Sequence, residues 1–247
     1  MRPFARVAVA LAVALPLLLG CAPAQQQARD DAPVARRLPS AAATPGGQQF
    51  SAYAATAVRA RVEVHDAPDG DVTSALDNPL PSGAPLTFLV VEQQPDWVHV
   101  QLPVRPNGST GWVRADAVEV AGVPYRLDVR TAAHELDLYE GDELVRTFPV
   151  GIGKADTPTP GGTFYLKELL RPPDPDGDYG PFAYGLSGFS TTLDSFMGGE
   201  AVIGLHGTDD PSSVGRDVSS GCIRMRNEDI TELAELLPLG TPVRILA

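Results

Sequence analysis

From about residue 56 onward, apolar and polar positions alternate in short runs, the period of a strand with one buried face. Val62 and Val64 are each flanked by polar residues, Phe88, Leu89, Val90 and Val91 form a continuous apolar run, and Val98, Val100 and Leu102 alternate again. Turn-forming clusters separate these runs: Pro68-Asp69-Gly70, Pro81-Ser82-Gly83 and Asn107-Gly108. Short strands so closely spaced predict a small barrel over residues 56–121. A second β-rich region fills 122–247. Tyr125, Leu127 and Val129 alternate, then Leu136 and Leu138, then Phe148, Val150 and Ile152, with Glu140-Gly141-Asp142 as a hairpin turn and 171–180 as a Pro- and Asp-rich loop. The period changes to that of a helix once. Ile230, Leu233, Ala234 and Leu237 fall at i, i+3, i+4 and i+7, Asn227 is placed as the N-cap, Glu228 and Asp229 stand in the first turn, and Pro238 stops the run. Residues 241–246 return to strand character. The predicted fold class is mainly β: a small barrel followed by a β-rich domain with one clear helix.

The first 55 residues follow neither period. Arg2 and Arg6 precede an apolar run over 7–19, too short to span a bilayer and suited to a secretory leader. It ends in Leu18-Leu19-Gly20-Cys21, which resembles the bacterial lipoprotein processing box and implies a leader over 1–21 and a lipid on Cys21. The alternative is an ordinary signal peptide cut near Ala22-Pro23-Ala24. Residues 22–55, rich in Ala, Gln, Pro and Gly, are expected to form a disordered tether. As a coil the tether would average roughly 30 Å, and stretched it would approach about 100 Å. Several acyl chains on one residue would anchor such a chain firmly to a membrane.

The chain of 247 residues has room for two modest domains beyond the leader, and its formal charge of −12 becomes more negative once Arg2 and Arg6 are removed. That acidity argues against nucleic acid and against polybasic attachment to anionic lipid. There are only two cysteines. If Cys21 is acylated, Cys222 is an unpaired thiol in an extracytoplasmic protein, which is unusual unless the thiol is used.

Late in the chain, Ile203-Gly204-Leu205-His206-Gly207-Thr208 is followed by a Pro/Ser/Gly loop and then by Ser219-Ser220-Gly221-Cys222-Ile223-Arg224-Met225. Taken singly, a cysteine is more often a small buried hydrophobe and a histidine a satisfied polar residue. Taken together, with glycines beside both and no competing metal-ligand spacing, they favour a thiol nucleophile with an imidazole to take its proton. The other histidines, His65, His99 and His134, sit in no motif and are placed on exposed strand positions.

This His-Gly-Thr, loop, Ser-x-Gly-Cys-Ile-Arg-Met pattern resembles the signature of the L,D-transpeptidase (YkuD-type) catalytic domain of bacterial cell-wall enzymes. The segments from Thr157-Pro158-Thr159-Pro160-Gly161-Gly162-Thr163-Phe164 and Gly180-Pro181-Phe182-Ala183-Tyr184-Gly185-Leu186 resemble the family in the same order. One position departs, since Ser220 stands where the family most often has His. The resemblance implies that Cys222 is the nucleophile, His206 the base and later acid, and the Gly207 carbonyl the group that fixes the imidazole tautomer. It implies oxyanion or substrate contacts at Ser219, Ser220, Gly221 and Arg224. For Arg224 a salt bridge to Glu228 or Asp229 is an equal alternative, and Tyr184 and Phe189 either edge the groove or pack the core. The implied activity is transfer of a peptidoglycan stem tetrapeptide from its terminal D-alanine, through a cysteinyl thioester, to an amine on another stem, giving 3–3 cross-links. Water as acceptor would make the same site an L,D-carboxypeptidase; an inert second domain would leave a peptidoglycan-binding lipoprotein. Papain-like wall peptidases place Cys before His, the reverse of the order here. No cofactor and no metal are implied, the partners being stem peptides and, through the anchor, a membrane. Asp96-Trp97 and Gly111-Trp112-Val113 resemble bacterial SH3-like domains attached to wall enzymes, which implies substrate positioning for the barrel; for Trp97 and Trp112 individually, packing is the favoured role.

Overall fold

The computed structural model describes residues 49–246, so the leader, Cys21 and residues 22–48 lie outside the described residues. Seven strands form the first sheet: β1 (Ala52–Ala57), β2 (Arg61–His65), β3 (Val72–Asp77), β4 (Thr87–Gln93), β5 (Trp97–Gln101), β6 (Thr110–Arg114) and β7 (Val118–Val123). Their order is β3-β2-β6-β5-β4-β1-β7. β2 alternates as expected, with Val62 and Val64 each 1% exposed and Arg61 and Glu63 outside. The turn clusters also act as turns, with Gly83 and Gly108 at φ of 85° and 84°. Residues 52–55, expected to be tether, instead belong to β1, which pairs with both β4 and β7. Its sequence, Ala-Tyr-Ala-Ala-Thr-Ala, carries no apolar period, yet Ala55 and Ala57 are buried in this sheet's own core and Ala54 is buried where the Gly240 turn approaches.

The second region holds β8 (Tyr125–Arg130), β9 (Glu135–Glu140), β10 (Glu143–Pro149), β11 (Ile152–Gly153), β12 (Gly162–Leu170), β13 (Ala183–Phe189), β14 (Ser195–Phe196), β15 (Gly199–Glu200), β16 (Val202–His206), β17 (Asp217–Ser219), β18 (Ile223–Arg224), helix α1 (Asn227–Leu236) and β19 (Pro242–Leu246). Eight of these strands make one sheet in the order β10-β9-β8-β19-β12-β13-β16-β18, while β11 pairs with β17 and β14 with β15. The protein is therefore mainly β, with one α-helix among the described residues. That helix presents Ile230, Leu233 and Leu237 to a core shared with Leu205, Ile223 and Met225. Its cap differs from expectation. Arg226 occupies the N-cap without a side-chain bond, and Asn227 is the first helical residue. The Asn227 amide instead accepts from the Thr208 N–H at 2.8 Å, because the turn after His206 lies within its reach.

The two sheets are joined by polar contacts from the first sheet and its loops to β12, β13 and the segment after it. Gln101 Nε2 donates to the Thr163 carbonyl at 2.8 Å, and the Tyr165 hydroxyl donates to the Gln101 carbonyl at 3.3 Å. Arg105 donates to the carbonyls of Ser190 and Leu193 and lies 4.9 Å from the centre of the buried Phe189 ring. Asn107 behaves as a backbone surrogate: its Nδ2 donates to the Phe189 carbonyl at 2.8 Å and its Oδ1 accepts from the Phe189 N–H at 2.9 Å. Backbones also approach closely, since a methyl on Gly240 would stand 2.3 Å from Ala54 Cβ. Trp97 is buried and Trp112 half-buried, stacked on His99 at 4.7 Å and 11°. His65 and His99 are thus half-buried in aromatic contacts, not on exposed positions as the pattern suggested.

Asn107→Ala removes both bonds and strands the Phe189 amide, so a loss of about 2 kcal/mol is expected. Urea unfolding measures it; a loss below roughly 0.5 kcal/mol, the scale of an ordinary surface substitution, would mean that water replaces the amide without cost.

Candidate active site

His206 ends β16 and Cys222 precedes β18, and these two strands run parallel with Leu205 opposite Ile223 and His206 opposite Arg224. This register sets Gly204 against Cys222, whose Sγ accepts from the Gly204 N–H at 3.3 Å. A methyl on Gly204 would stand 3.3 Å from His206 Cδ2 and 3.5 Å from Cys222 Sγ, so imidazole and thiol flank the same bare stretch of backbone. Both line a cleft of about 770 Å³, together with Tyr179, Tyr184, Gly185 and Glu168.

The imidazole is 3% exposed, and its Nδ1 lies 2.6 Å from the Gly207 carbonyl. A carbonyl can only accept, so Nδ1 carries the proton and Nε2, bonded to the ring carbon nearest Gly204, is left with its lone pair. Burial lowers the His206 pKa to about 4 against the opposing pull of the Gly207 carbonyl, with Arg224 lowering it further. Burial also pushes the Cys222 thiol up, offset by the Gly204 N–H and the Arg224 charge. Both shifts favour the uncharged pair at rest. The arrangement can move a proton from sulfur to imidazole when a reacting group arrives.

The loop carrying the sulfur is set by hydrogen bonds. Ser219 Oγ donates to the Cys222 carbonyl at 2.6 Å and accepts from the Gly221 N–H at 3.1 Å. Thr159 Oγ1 donates to the Gly221 carbonyl at 2.9 Å and accepts from the Gly153 N–H at 2.9 Å, while Thr157 Oγ1 donates to the Ser219 carbonyl. Gly221 has a φ of 115°, and a methyl there would press on Ile203 at 3.1 Å. Two expected substrate contacts are therefore engaged in holding the loop: Ser219 is buried with its hydroxyl committed, and the Gly221 amide is already bonded to it. Among the described residues the Cys222 N–H has no acceptor, and Ser220 lies half-buried at the rim near Tyr179 and Arg224.

Arg224 does not make the alternative salt bridge. Asp229 is taken by Arg146, which also bonds Glu232, and Arg224 Nε is buried with no hydrogen-bond partner among the described residues. A buried guanidinium nitrogen left unsatisfied beside a thiol is a ready receiver for an anionic group. Tyr184 is 1% exposed, its hydroxyl 3.1 Å from the Leu233 and Leu237 carbonyls at the end of α1, so it packs the core while its edge meets the cleft. Phe189 is buried under Arg105. His134 pairs with Asp217 at 2.7 Å, outside the residues lining the cleft.

Two residues to which the sequence assigns no part in the site help build it. Tyr179 packs against His206, ring centres 4.7 Å apart, and burial followed by the nearby Cys222 raises its pKa. Asn227 crowds Gly180 and Gly207, where a methyl on either would stand 2.3 Å from its Oδ1, and so clamps the turn that fixes the imidazole. Gly180 and Gly207 were visible as glycines; nothing in the one-dimensional pattern tied them to Tyr179 or Asn227.

A family model described as the L,D-transpeptidase catalytic domain matches residues 124–245. A relative described as "Putative L,D-transpeptidase YkuD" from Bacillus licheniformis is 42% identical over 123 residues, covering 50% of this chain and 66% of that one. The protein of the same description from Bacillus subtilis is 33% identical over 150 residues, covering 58% of this chain and 83% of its own length. A solved L,D-transpeptidase from Mycobacterium smegmatis aligns with 19% identity and a TM-score of 0.39, over 61% of this chain and 90% of that one, too loose an overlay to place residues. The chain belongs to the L,D-transpeptidase family.

A buried neutral histidine gives a pH signature. The unfolded imidazole titrates near 6.5 and the folded one near 4, so between these values the unfolded state binds the extra proton and stability falls as pH drops. The loss attributable to His206 reaches about 3 kcal/mol. Urea unfolding of wild type and His206→Gln between pH 7 and 4 checks it: wild type is expected to lose more stability over this range, and equal slopes would contradict the assignment.

Proposed function

We propose that the protein is an extracytoplasmic peptidoglycan L,D-transpeptidase that works through a thioester on Cys222. The observation that carries this reading is the shared cleft of His206 and Cys222, with Nε2 unprotonated and both groups neutral at rest. Cys222 Sγ attacks the carbonyl of the third residue of a stem tetrapeptide while His206 Nε2 takes the thiol proton. The Cys222 N–H faces the developing oxyanion, with Ser220 beside it in place of the family's usual histidine. His206 then returns the proton to the leaving D-alanine nitrogen. Arg224 holds a carboxylate of the donor peptide. An amine of a second stem attacks the thioester, His206 accepts its proton, and a 3–3 cross-link forms with the thiol restored. Ser219, Gly221, Thr157 and Thr159 act as positioning residues for the sulfur. The leader, the lipid on Cys21 and the tether stand as part of the same reading: a membrane-anchored enzyme reaching nearby wall, with the SH3-like barrel fixed against its catalytic sheet.

Purified protein mixed with disaccharide tetrapeptides is expected to release D-alanine and form a cross-linked dimer, both seen by mass spectrometry. Cys222→Ala is expected to lower both by at least about 1,000-fold, on the scale of losing a covalent nucleophile. D-alanine release without dimer would mark a carboxypeptidase, and undiminished release from Cys222→Ala would end the thioester mechanism.

A further inference from the structure

The reactive cleft does not stop at the thiol. Glu168 on β12, Gly185 on β13 and Gly204 on β16 are consecutive partners across three neighbouring strands. The row ends at Cys222 Sγ, which touches the Gly204 N–H. Two of the three positions are glycine, so the floor between the Glu168 side chain and the sulfur is bare backbone. The Glu168 carboxylate lies over this floor: a methyl on Gly185 would stand 2.8 Å from its Oε1. With neighbouring strands roughly 5 Å apart, this carboxylate stands about one small functional group from the thiol.

Glu168 reaches this place through an irregularity in the pairing. The β12–β13 register shifts between Leu166 and Glu168, and Lys167 and Glu168, adjacent in sequence, both line one cavity beside the reactive cleft. Their side chains form an ion pair at 3.1 Å, 12% and 14% exposed. An ordinary strand would send these neighbours to opposite faces, and bulges of this kind re-aim side chains next to active sites. Glu168 also lines this second cavity of about 800 Å³, walled by Leu76, Pro79 and Pro81 of the first region, by Lys167 of the catalytic sheet and by Glu200 of the β14–β15 hairpin. Ser82, Glu168 and Val202 border both cavities, so the two adjoin. The charged groups facing the second cavity are Asp77, Glu168, Glu200 and Lys167, an excess of carboxylate that favours a cationic guest.

From this geometry, and resting on the L,D-transpeptidase reading above, we propose that Glu168 and Lys167 form the acceptor subsite. The acceptor is a primary amine with a carboxylate on the same carbon, the two charges matched by Glu168 and Lys167. It enters through the cavity between barrel and catalytic sheet, and Glu168 presents its nitrogen across the glycine floor to the thioester. Two sources share this chemistry: the side-chain terminus of a stem peptide's diamino acid, and a free D-amino acid. The barrel then has a defined role, as one wall of the acceptor's path.

The test is the partition of the thioester between amine and water. Full-length protein is given a tetrapeptide donor with one of three acceptors: a tetrapeptide stem, a free D-amino acid, or that D-amino acid with its carboxylate amidated. Products are counted by mass spectrometry. Glu168→Gln is expected to shift the transfer-to-hydrolysis ratio at least tenfold toward water with every acceptor. Lys167→Met is expected to raise the KM of the two carboxylate-bearing acceptors at least fivefold while leaving that of the amidated acceptor unchanged. A merely structural ion pair would change all three acceptors alike under Lys167→Met, and that result, or an unshifted ratio with Glu168→Gln, overturns the proposal. If the wild type releases no D-alanine, it is the parent reading that fails. Should Glu168→Gln not fold, as judged by near-ultraviolet circular dichroism, the amidated-acceptor comparison with Lys167→Met decides alone.

Discussion

The bond from His206 Nδ1 to the carbonyl of its own neighbour, Gly207, is the interaction on which the site depends. A free histidine has two ring tautomers and charges readily near neutral pH; this one is held to a single tautomer and kept uncharged by burial. The bond exists because Gly207 can sit against Gly180 and under the Asn227 amide, where no side chain would fit. Asn227 is in turn fixed by opening α1, whose apolar face is buried in the same core as β16 and β18. One hydrogen bond therefore ties the reactive ring to the packing of the second sheet.

The sulfur is positioned by a different logic. Its loop is laced by hydroxyls: those of Ser219 and Thr159 satisfy backbone groups that the irregular chain leaves without a ladder partner, and that of Thr157 adds a second donor to the Ser219 carbonyl. Such lacing places the nucleophile through its backbone and leaves the Cys222 N–H without an acceptor among the described residues. Arg224, unpaired among the described residues, biases the pocket toward anions and eases thiolate formation without an ion pair at rest.

Much of this was legible in the sequence where a local rule controls the outcome. The alternation at Val62 and Val64, the glycine turns and the helix face of Ile230, Leu233 and Leu237 follow from residue type alone. His206 and Cys222 could be named as a pair from their flanking glycines. Their approach, however, comes from the parallel register of β16 with β18, which no local pattern encodes. β1 was missed because alanine strands have no period and are held by close packing. Asn227 looked like a cap, but a longer-range acceptor role won over the local one. Tyr179 and Glu168 stayed invisible because a loop crossing and a register shift bring them to the cleft.

The tautomer of His206 tests the account most directly. Nitrogen-15 NMR of the imidazole, followed from pH 8 downward, should show a neutral ring protonated at Nδ1 and unprotonated at Nε2 until the pH approaches about 4. A ring protonated at Nε2, or an imidazolium already present at neutral pH, would contradict it.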